Sequence, residues 1–426
     1  MSVTTARPQA SAAQPVVNIA QGDLQGTRIG RLSVFRGVPY AAADRFGPPR
    51  PVAPWQGVRS AAAPGSVCPQ LPSRLEKVIG SPRERRAMSE ACQVLSIFSP
   101  ELTGKRPVMV WIHGGAYVTG GGEDSWYDAA RLADEGDVVT VTVTYRLGVF
   151  GYLWTEEHGA PNAGLQDQIA ALRWVHDNIA RFGGDPDNIT MFGQSAGGHA
   201  IAAILATTER PLFKRAILQS APLGIIMSEE TAKAIGREFR AALGKSPLTA
   251  PVEDMLAAQG KVLAGSKSGM TFMPVGIDPQ RLVVSKDHKL DILAGWTRDD
   301  GSPFIALRLA ADQLEGLLEN PGTTAMTTGT FAAPTKAFGE VLRKRGDHIS
   351  LYEITWRPTG SPYGACHCIE LPLLLGRTAD WTGAAMLGAT PPDDVERFGR
   401  EARAMWAAFA KSGAAPRKTE WLEPVS

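Results

Sequence analysis

The sequence predicts an α/β protein in which helices cover both faces of a mostly parallel central sheet. Short, β-branched apolar runs alternate with longer amphipathic segments from residue 107 onward, which is typical of strands and helices that alternate in a parallel sheet. No boundary-like linker and no internal repeat interrupts this alternation. We therefore expect a flexible tail over residues 1–15 and a single domain over residues 16–426.

The individual elements follow from local patterns. Residues 47–72 are rich in proline, which predicts an irregular segment along the surface. The runs "PVMVWIH" (107–113) and "DVVTVTVTY" (137–145) predict buried strands. Residues 163–182 predict a helix, because one face carries Ile169, Leu172, Val175 and Ile179. Further strands are predicted after this helix, at residues 189–193, 215–221, 291–296 and 348–355.

Composition excludes several functional classes. The 44 basic and 43 acidic residues leave a formal charge of +1, so we expect no nucleic-acid partner. No apolar run approaches the roughly 20 residues of a membrane span. The start of the chain, "MSVTTARPQASAAQPVV", has no apolar core of the kind that a signal peptide needs, which favours a cytoplasmic location. Four cysteines are too few for a disulfide scaffold.

The stretch "MFGQSAGGH" (191–199) places Ser195 between two glycines. The predicted turn "FGGDPDN" leads into the strand "ITMFG", and "AGGHAIAAILA" continues after the serine as a helix. A serine in a sharp strand-to-helix turn projects from the top of a sheet, as a nucleophile must. A glycine-rich turn that merely contains a serine is the alternative. Ser195 is therefore a candidate nucleophile that needs an oxyanion hole, a base and an acid.

The stretch "WIHGGAYVTGGG" (111–122) follows a predicted strand and supplies a candidate oxyanion hole. Its glycines let the backbone approach a reacting carbonyl closely. The expected N–H donors are Gly115 and Ala116, together with Ala196 directly after the serine. A phosphate-binding loop is the rival interpretation, but the G-K-[ST] ending of such loops is missing.

The candidate base is His367. In folds with this serine turn, the chain order is serine, acid, histidine. Three histidines precede Ser195 and are therefore set aside: His113, His158 and His176. Of the later ones, His199 lies one helical turn beyond the serine and is expected to pack there, His288 is in a charged stretch, and His348 begins a strand. His367 lies in the glycine-containing segment "YGACHCIELP" near the C-terminus.

The acid that orients the imidazole is expected in "AGWTRDDGSPF" (294–304). Asp299 and Asp300 both lie at the end of a predicted strand, and either could serve on chemistry alone. Paired aspartates before a glycine are also typical of a helix N-cap.

Many collinear segments resemble the type-B carboxylesterase and cholinesterase family of α/β-hydrolases, and together they cover most of the chain. They are "FRGVPYA", "RFGPPRPVAPWQGVR", "CPQ", "SEACQVLSIFSP", "PVMVWIHGGA", "VTYRLGVFGYL", "NAGLQDQIAALRWVHDNIARFGGDPDNITMFGQSAGG", "LFKRAILQSAP", "GWTRDDGSPF" and "GACHCIELP". The resemblance implies an α/β-hydrolase fold. It maps the family's triad onto Ser195, Asp300 and His367, with Asp300 at a position where the family usually has Glu.

The resemblance also implies scaffold contacts. Two ion pairs are expected, Arg146 with Asp167 and Arg45 with Glu90. Cys68 and Cys92 fall where the family often forms a disulfide, although a reducing cytoplasm would keep them as thiols. Cys366 and Cys368 flank the base, but "CHC" lacks the spacing and the further ligands of a zinc site. We expect no metal and no organic cofactor.

Three departures from the family pattern bear on function. The chain is shorter after "LQSAP" and at its C-terminus, so the family's loops are shortened and a more open acyl pocket is expected. Gln194 replaces a glutamate beside the nucleophile, which removes a charge that would favour a protonated His367; we interpret it as a tuning residue. The segment between the two cysteines, residues 69–91, has no Trp, Tyr or Phe, which makes a cholinesterase unlikely because a quaternary cation needs an aromatic platform.

The same segment carries Arg74, Arg83, Arg85 and Arg86. A solvated basic loop is one interpretation, and a preference for esters that carry a carboxylate is the other. The predicted function is serine carboxylesterase activity on a small-molecule ester through an acyl-enzyme. An amide, carbamate or thioester hydrolase would use the same machinery, and a catalytically silent binding protein of the same fold is the rival from another class.

Overall fold

The computed structural model of the chain describes residues 13–159, 161–266, 269–310 and 313–425. Most of the predicted N-terminal tail, residues 1–12, lies outside these ranges, and the first strand begins at Val16. None of the helices in the described ranges combines the length and the apolar character that crossing a membrane requires.

The strands of the described ranges form one ten-stranded sheet and one three-stranded sheet. In chain order they are β1 Val16–Ile19, β2 Gly22–Gln25, β3 Thr27–Ile29, β4 Leu32–Pro39, β5 Val58–Ser60, β6 Val94–Ser99, β7 Arg106–Ile112, β8 Val139–Val143, β9 Gly184–Gln194, β10 Arg215–Gln219, β11 Asp291–Thr297, β12 His348–Ile354 and β13 Leu422–Val425. The large sheet has the order β13-β12-β11-β10-β9-β7-β8-β6-β4-β3, and the small one β1-β2-β5.

The centre of the large sheet is parallel and its two flanks are antiparallel. Strands β12, β11, β10, β9, β7 and β8 run parallel to one another. Strand β13 on one side, and β6, β4 and β3 on the other, pair antiparallel. The predicted strands all belong to the parallel centre, where the βα alternation of the sequence is regular.

Helices surround this sheet. In chain order they are α1 Glu76–Ile79, α2 Ala130–Gly136, α3 Gly148–Tyr152, α4 Ala163–Asn178, α5 Ala196–Leu205, α6 Glu229–Leu243, α7 Val252–Gly265, α8 Ser302–Ala306, α9 Pro321–Met326, α10 Ala333–Arg345, α11 Leu371–Leu374 and α12 Pro392–Ser412.

Strand β7 divides the interior into two cores because successive side chains point to opposite faces of a strand. Val110 belongs to one buried cluster with Ile201 of α5, whereas Trp111 belongs to the other with Trp406 of α12. The predicted α/β architecture with helices on both faces is confirmed.

Two local predictions need correction. The segment "FGGDPDN" was expected to be a turn, but its residues from Gly184 onward belong to β9. The pairing of β7 with β9 shifts register between Arg106 and Val108, so the extra residues of β9 are accommodated as an irregularity of the ladder. The proline-rich segment 47–72 is largely irregular as predicted, yet Val58–Ser60 form β5 beside β2.

Both ion pairs implied by the resemblance are present. Arg146 binds Asp167 through two hydrogen bonds of 2.7 Å in the interior, and its Nη1 donates to the carbonyl oxygen of Gly47 at 2.7 Å. Arg45 pairs with Glu90 in the same bidentate manner. A bidentate guanidinium ties distant segments together with defined geometry, and here Arg146 fastens the proline-rich segment to α4.

The structure has no disulfide between Cys68 and Cys92, which are both buried thiols. Cys68 Sγ accepts a hydrogen bond from the N–H of Leu147 at 3.2 Å. A hydrogen bond with Cys68, together with burial, raises the pKa of the Cys92 thiol. The protonated thiol is therefore the favoured form of Cys92.

Candidate active site

The predicted functional residues follow the carboxyl ends of neighbouring parallel strands. Residues 113–122 follow β7, Ser195 follows β9, Asp300 follows β11, and His367 lies in the segment after β12. Carboxyl ends of parallel strands share one edge of a sheet, which is where ligands bind in open α/β sheets. The topology therefore brings residues as distant in sequence as His113 and His367 to a common edge.

Ser195 occupies a tight turn between β9 and α5. Its φ of 57° and ψ of −123° are unusual for a residue with a side chain. Its N–H donates to the carbonyl oxygen of Gln219 at 2.8 Å, which ties the turn to β10. A Cβ at position 193 would lie 2.7 Å from the backbone of Gly197, and a Cβ at position 197 would overlap the carbonyl oxygen of Ile112. Only glycines allow so close an approach.

The glycine loop after β7 presents backbone N–H groups to the site. Gly115, Ala116 and Tyr117 have φ values of 104°, 54° and 61°, and the N–H of Thr119 closes the turn on the carbonyl oxygen of Gly115 at 3.1 Å. Within the described ranges, the N–H groups of Gly115 and Ala116 have no protein acceptor. Ala196 is the first residue of α5, where an N–H has no partner inside the helix. These donors have the character that an oxyanion hole requires.

His367 and Asp300 are joined in the interior. His367 Nδ1 donates to Asp300 Oδ1 at 2.6 Å, and neither side chain is more than 2% exposed. Asp300 Oδ2 accepts two further hydrogen bonds, from the N–H of Thr297 at 2.9 Å and from Ser220 Oγ at 2.7 Å. Three donors fix this carboxylate, so it can hold the imidazole in one orientation and one tautomer. The contact of Ser220 with Asp300 was not predicted from the sequence, although "LQSAP" places Ser220 at the end of a predicted strand.

Asp299 has a different set of partners. It binds the guanidinium of Arg357 through two hydrogen bonds of 2.8 Å and accepts from the N–H of Ala365 at 2.8 Å. These contacts anchor the segment that carries His367. The two neighbouring aspartates therefore have different contacts. Asp300 contacts the imidazole, whereas Asp299 contacts the segment that carries it.

Gln194 contacts His367 on the other side of the ring. Its Nε2 lies 3.1 Å from His367 Nε2, and the side chain is buried. Because Nδ1–H is directed at Asp300, Nε2 of the neutral ring is the acceptor and the amide donates. In this conformation of the site, the amide of Gln194 therefore occupies the lone pair of His367 Nε2.

Gln194→Glu should move the acid limb of the pH dependence of kcat/KM to higher pH by about one unit. A carboxylate at this place would accept a hydrogen bond from a protonated Nε2 and stabilise the imidazolium. As the pH is lowered, the neutral form of the ring would therefore be lost at a higher pH than in the wild type. The measurement is kcat/KM on a neutral ester between pH 5 and pH 9. Gln194→Met is the control, since it removes the amide without adding charge. Superimposable profiles for the glutamine and glutamate proteins would contradict the tuning role.

The other histidines have structural surroundings. Burial lowers the pKa of both His113 and His199 to about 4, so these rings are neutral. His199 accepts from Tyr117 Oη at 2.8 Å and donates to the carbonyl oxygen of Ile225 at 3.0 Å, in keeping with the packing role expected for it. The remaining four bond to neighbours outside the site, namely His158, His176, His288 and His348.

The cysteines on either side of His367 are poor nucleophiles. Burial raises the pKa of both Cys366 and Cys368 well above the ordinary thiol value, so the reactive thiolate is disfavoured. Within the described ranges, His, Cys, Asp and Glu side chains form no cluster of three that could hold a metal ion.

Glu370 is a buried carboxyl group that the sequence reasoning missed. It lies three residues after His367, and burial raises its pKa to about 7. Gln219 Nε2 donates to its Oε1 at 3.3 Å, while its Oε2 has no partner in the described ranges. The negative charge of Asp300 raises this pKa further, and a positive charge on His367 lowers it.

A cavity of about 720 Å³ opens onto this constellation. It is lined by predicted site residues, namely Gly115, Ala116, Gln194, Ser195 and His367. The rings of Phe304 and Phe331 also line it, with centroids 5.1 Å and 5.0 Å from that of His367. A space of this size and apolar character suits a small organic molecule.

Aromatic side chains from outside segment 69–91 also line the cavity. Trp126 and Trp381 both line it and stack with ring centroids 5.3 Å apart and planes 9° apart. Their indole nitrogens donate to backbone carbonyl oxygens. The absence of aromatic residues between the two cysteines therefore does not leave the cavity without aromatic walls.

The comparisons with known proteins agree on one family. The sequence profile described as "Carboxylesterase family" matches residues 13–321. The chain is 39% identical to a "Probable N-octanoylanthranilate hydrolase" of Rhodococcus erythropolis over 93% of each chain. It is 33% identical to the para-nitrobenzyl esterase of Bacillus subtilis (strain 168), over 93% of this chain and 90% of that one. A solved thermophilic PNB esterase superposes with a TM-score of 0.82 at 31% identity, covering 96% and 93% of the two chains. The α/β-hydrolase fold that the resemblance implied is thereby confirmed.

Proposed function

The chain belongs to the carboxylesterase family and is a carboxylic ester hydrolase, and we propose that it acts by two-step acyl transfer through Ser195, His367 and Asp300. The main support is the 2.6 Å hydrogen bond between His367 and Asp300, whose carboxylate accepts three hydrogen bonds in all. His367 lines the same cavity as Ser195. A buried carboxylate that holds an imidazole, at the same cavity as a serine hydroxyl, supports activation of that hydroxyl as a nucleophile.

In the first step, Ser195 Oγ attacks the carbonyl carbon of the ester. His367 Nε2 takes the hydroxyl proton, and the resulting imidazolium keeps its hydrogen bond to the Asp300 carboxylate. The electron pair of the carbonyl moves to its oxygen. The N–H groups of Gly115, Ala116 and Ala196 stabilise this oxyanion, each by roughly 3 kcal/mol.

The tetrahedral intermediate then expels the alcohol. The bond between the carbonyl carbon and the alcohol oxygen breaks, and that oxygen takes the proton from His367 Nε2. Water attacks the acyl-enzyme in the second step while His367 takes one of its protons. Cleavage of the acyl bond returns a proton to Ser195 Oγ and releases the carboxylic acid.

Labelling with a fluorophosphonate tests this assignment. We expect one phosphonyl group per chain, located on the peptide that contains Ser195, together with complete loss of esterase activity. An ester substrate should slow the labelling, because both compete for the same serine. An adduct on another residue, or full labelling with retained turnover, would contradict the mechanism; a chain without any reactive serine would support the silent binding protein instead.

Hydrolysis of an N-acyl bond is the second candidate. It is favoured by the relative from Rhodococcus erythropolis, which is named for N-octanoylanthranilate and is 39% identical. The same nucleophile and oxyanion hole would serve, and His367 would protonate a leaving amine instead of an alcohol. Matched esters and amides of one acyl group, compared by kcat/KM, distinguish the two candidates.

A further inference from the structure

We propose that Arg74 binds a carboxylate of the substrate, so that this cavity accepts esters bearing an anionic group at a distance from the scissile bond. The inference rests on the proposed function, because the ester must reach Ser195 through the cavity that Arg74 lines. It assigns a substrate class to that site.

The arginines of segment 69–91 do not share one environment. Arg85 Nη2 binds Glu76 Oε1 at 2.9 Å, and Arg86 Nη1 binds Glu84 Oε2 at 3.0 Å. Their charges are therefore partly neutralised within the segment. Arg83 lies outside the cavity wall of the described residues. Of the two interpretations of this basic segment, a solvated surface describes Arg83 and Arg85, which are exposed. Arg86 is largely buried, and its Nε donates to the carbonyl oxygen of Glu123 at 2.9 Å.

Arg74 differs from the other three. Its Nη2 donates to the carbonyl oxygen of Gly269 at 2.6 Å, and its Cζ lies 5.7 Å from the ring centroid of Phe304. Within the described ranges, no carboxylate lies within ion-pair distance of it. A guanidinium has five N–H donors, so one carbonyl and one ring face leave most of them free. Arg74 is exposed at the wall of the cavity, and partial desolvation there lowers its pKa.

Arg74 is close to the reacting groups. The ring centroid of Phe304 lies 5.7 Å from Cζ of Arg74 and 5.1 Å from the ring centroid of His367. The guanidinium and the proposed base therefore share this phenyl ring as a neighbour, which limits their separation. A carboxylate a few bonds away from an ester carbonyl at Ser195 would span this separation.

The charges lining the cavity leave an excess of positive charge on this side. Arg308, four residues after Phe304, also lines the wall. Two acidic groups also line it: Glu76, which is paired with Arg85, and Asp124, which lies against Gly121 in the glycine loop. Burial raises the pKa of Asp124 to about 7, so near neutral pH it carries only part of a negative charge. An anionic substrate group therefore finds a partner at Arg74 and little repulsion elsewhere.

The test compares matched charged and neutral substrates in the wild-type protein and in Arg74→Gln. The first pair is 4-carboxyphenyl butanoate and its neutral analogue 4-carbamoylphenyl butanoate, with the variable group on the alcohol half. The second pair is monoethyl adipate and its primary amide, with the variable group on the acyl half. We expect the wild type to prefer the carboxylate in at least one pair, mainly through a lower KM. Arg74→Gln should reduce kcat/KM for that carboxylate by roughly tenfold to a hundredfold and leave its neutral analogue within about twofold.

Two variants control for charge and location. Arg74→Lys keeps the charge and should retain part of the preference, whereas a merely structural role would not be rescued. Arg85→Gln removes a cavity-lining arginine that is already paired, and it should leave the ratio between charged and neutral substrates unchanged. Added salt should lower the wild-type ratio.

Equal kcat/KM values for both members of both pairs in the wild type would overturn the proposal. So would a loss in Arg74→Gln that is the same for charged and neutral substrates. Either result would leave hydrolysis of the neutral esters through Ser195 intact, and failure of the proposed function would appear instead as absent labelling of Ser195.

Discussion

Ser195→Ala should lower kcat by about 10⁶-fold while the fold remains intact. The substitution removes the oxygen that forms the acyl bond and leaves no hydroxyl in its place. It keeps the Cβ, so the strained φ of 57° is accommodated as before. The backbone hydrogen bonds of residue 195 to Gln219 and His199 do not involve the side chain.

The measurement is kcat on a neutral chromogenic ester, together with urea unfolding. We expect the free energy of unfolding to change by less than about 0.5 kcal/mol. Any residual hydrolysis should be insensitive to fluorophosphonate, which separates it from traces of wild-type enzyme. A loss of less than tenfold would mean that another residue is the nucleophile.

Asp300→Asn should lower kcat by about 10⁴-fold. Thr297 N–H and Ser220 Oγ both donate to Oδ2, so they will hold the carbonyl oxygen of the new amide. Its NH2 group is then directed at His367 Nδ1, which must act as an acceptor. The ring proton moves to Nε2, and the imidazole can no longer take a proton from Ser195.

Asp299→Asn is the matched control at the adjacent position. It weakens the contact with Arg357 but leaves an oxygen to accept from Ala365, and it does not touch the imidazole. We expect a kcat within about tenfold of wild type and a loss of roughly 1 kcal/mol in unfolding free energy. Equal losses of kcat in the two variants would contradict the assignment of Asp300 as the orienting acid.

The centre of the fold could be predicted from the sequence because its strands are short apolar runs between helices. Strands β1 to β5 could not be predicted in this way. In β2, "GDLQ", only Leu24 is buried, and the strand exists because its backbone pairs with β1 and β5. Where the partner supplies the hydrogen bonds, the local pattern carries little information.

In the candidate site too, some features could be predicted from local sequence patterns and others depend on contacts in space. Chain order and local motifs identify Ser195 and His367 as candidates and leave Asp299 and Asp300 as alternatives, between which the family resemblance selects Asp300. The contact between Gln194 and His367 joins residues 173 positions apart, and no local pattern reports it. Likewise, the arginines of segment 69–91 are equivalent in sequence, and only their neighbours in space separate Arg74 from the others.

Glu370 places a second ionisable carboxyl group beside the pair formed by Asp300 and His367. Burial raises the pKa of Glu370 to about 7, and the negative charge of Asp300 adds to this effect. Near neutral pH the Glu370 carboxyl group is therefore present in both its neutral and its charged form. The electrostatic environment of the site consequently changes with the acidity of the surroundings, even when the fold and the hydrogen bonds of Asp300 stay the same.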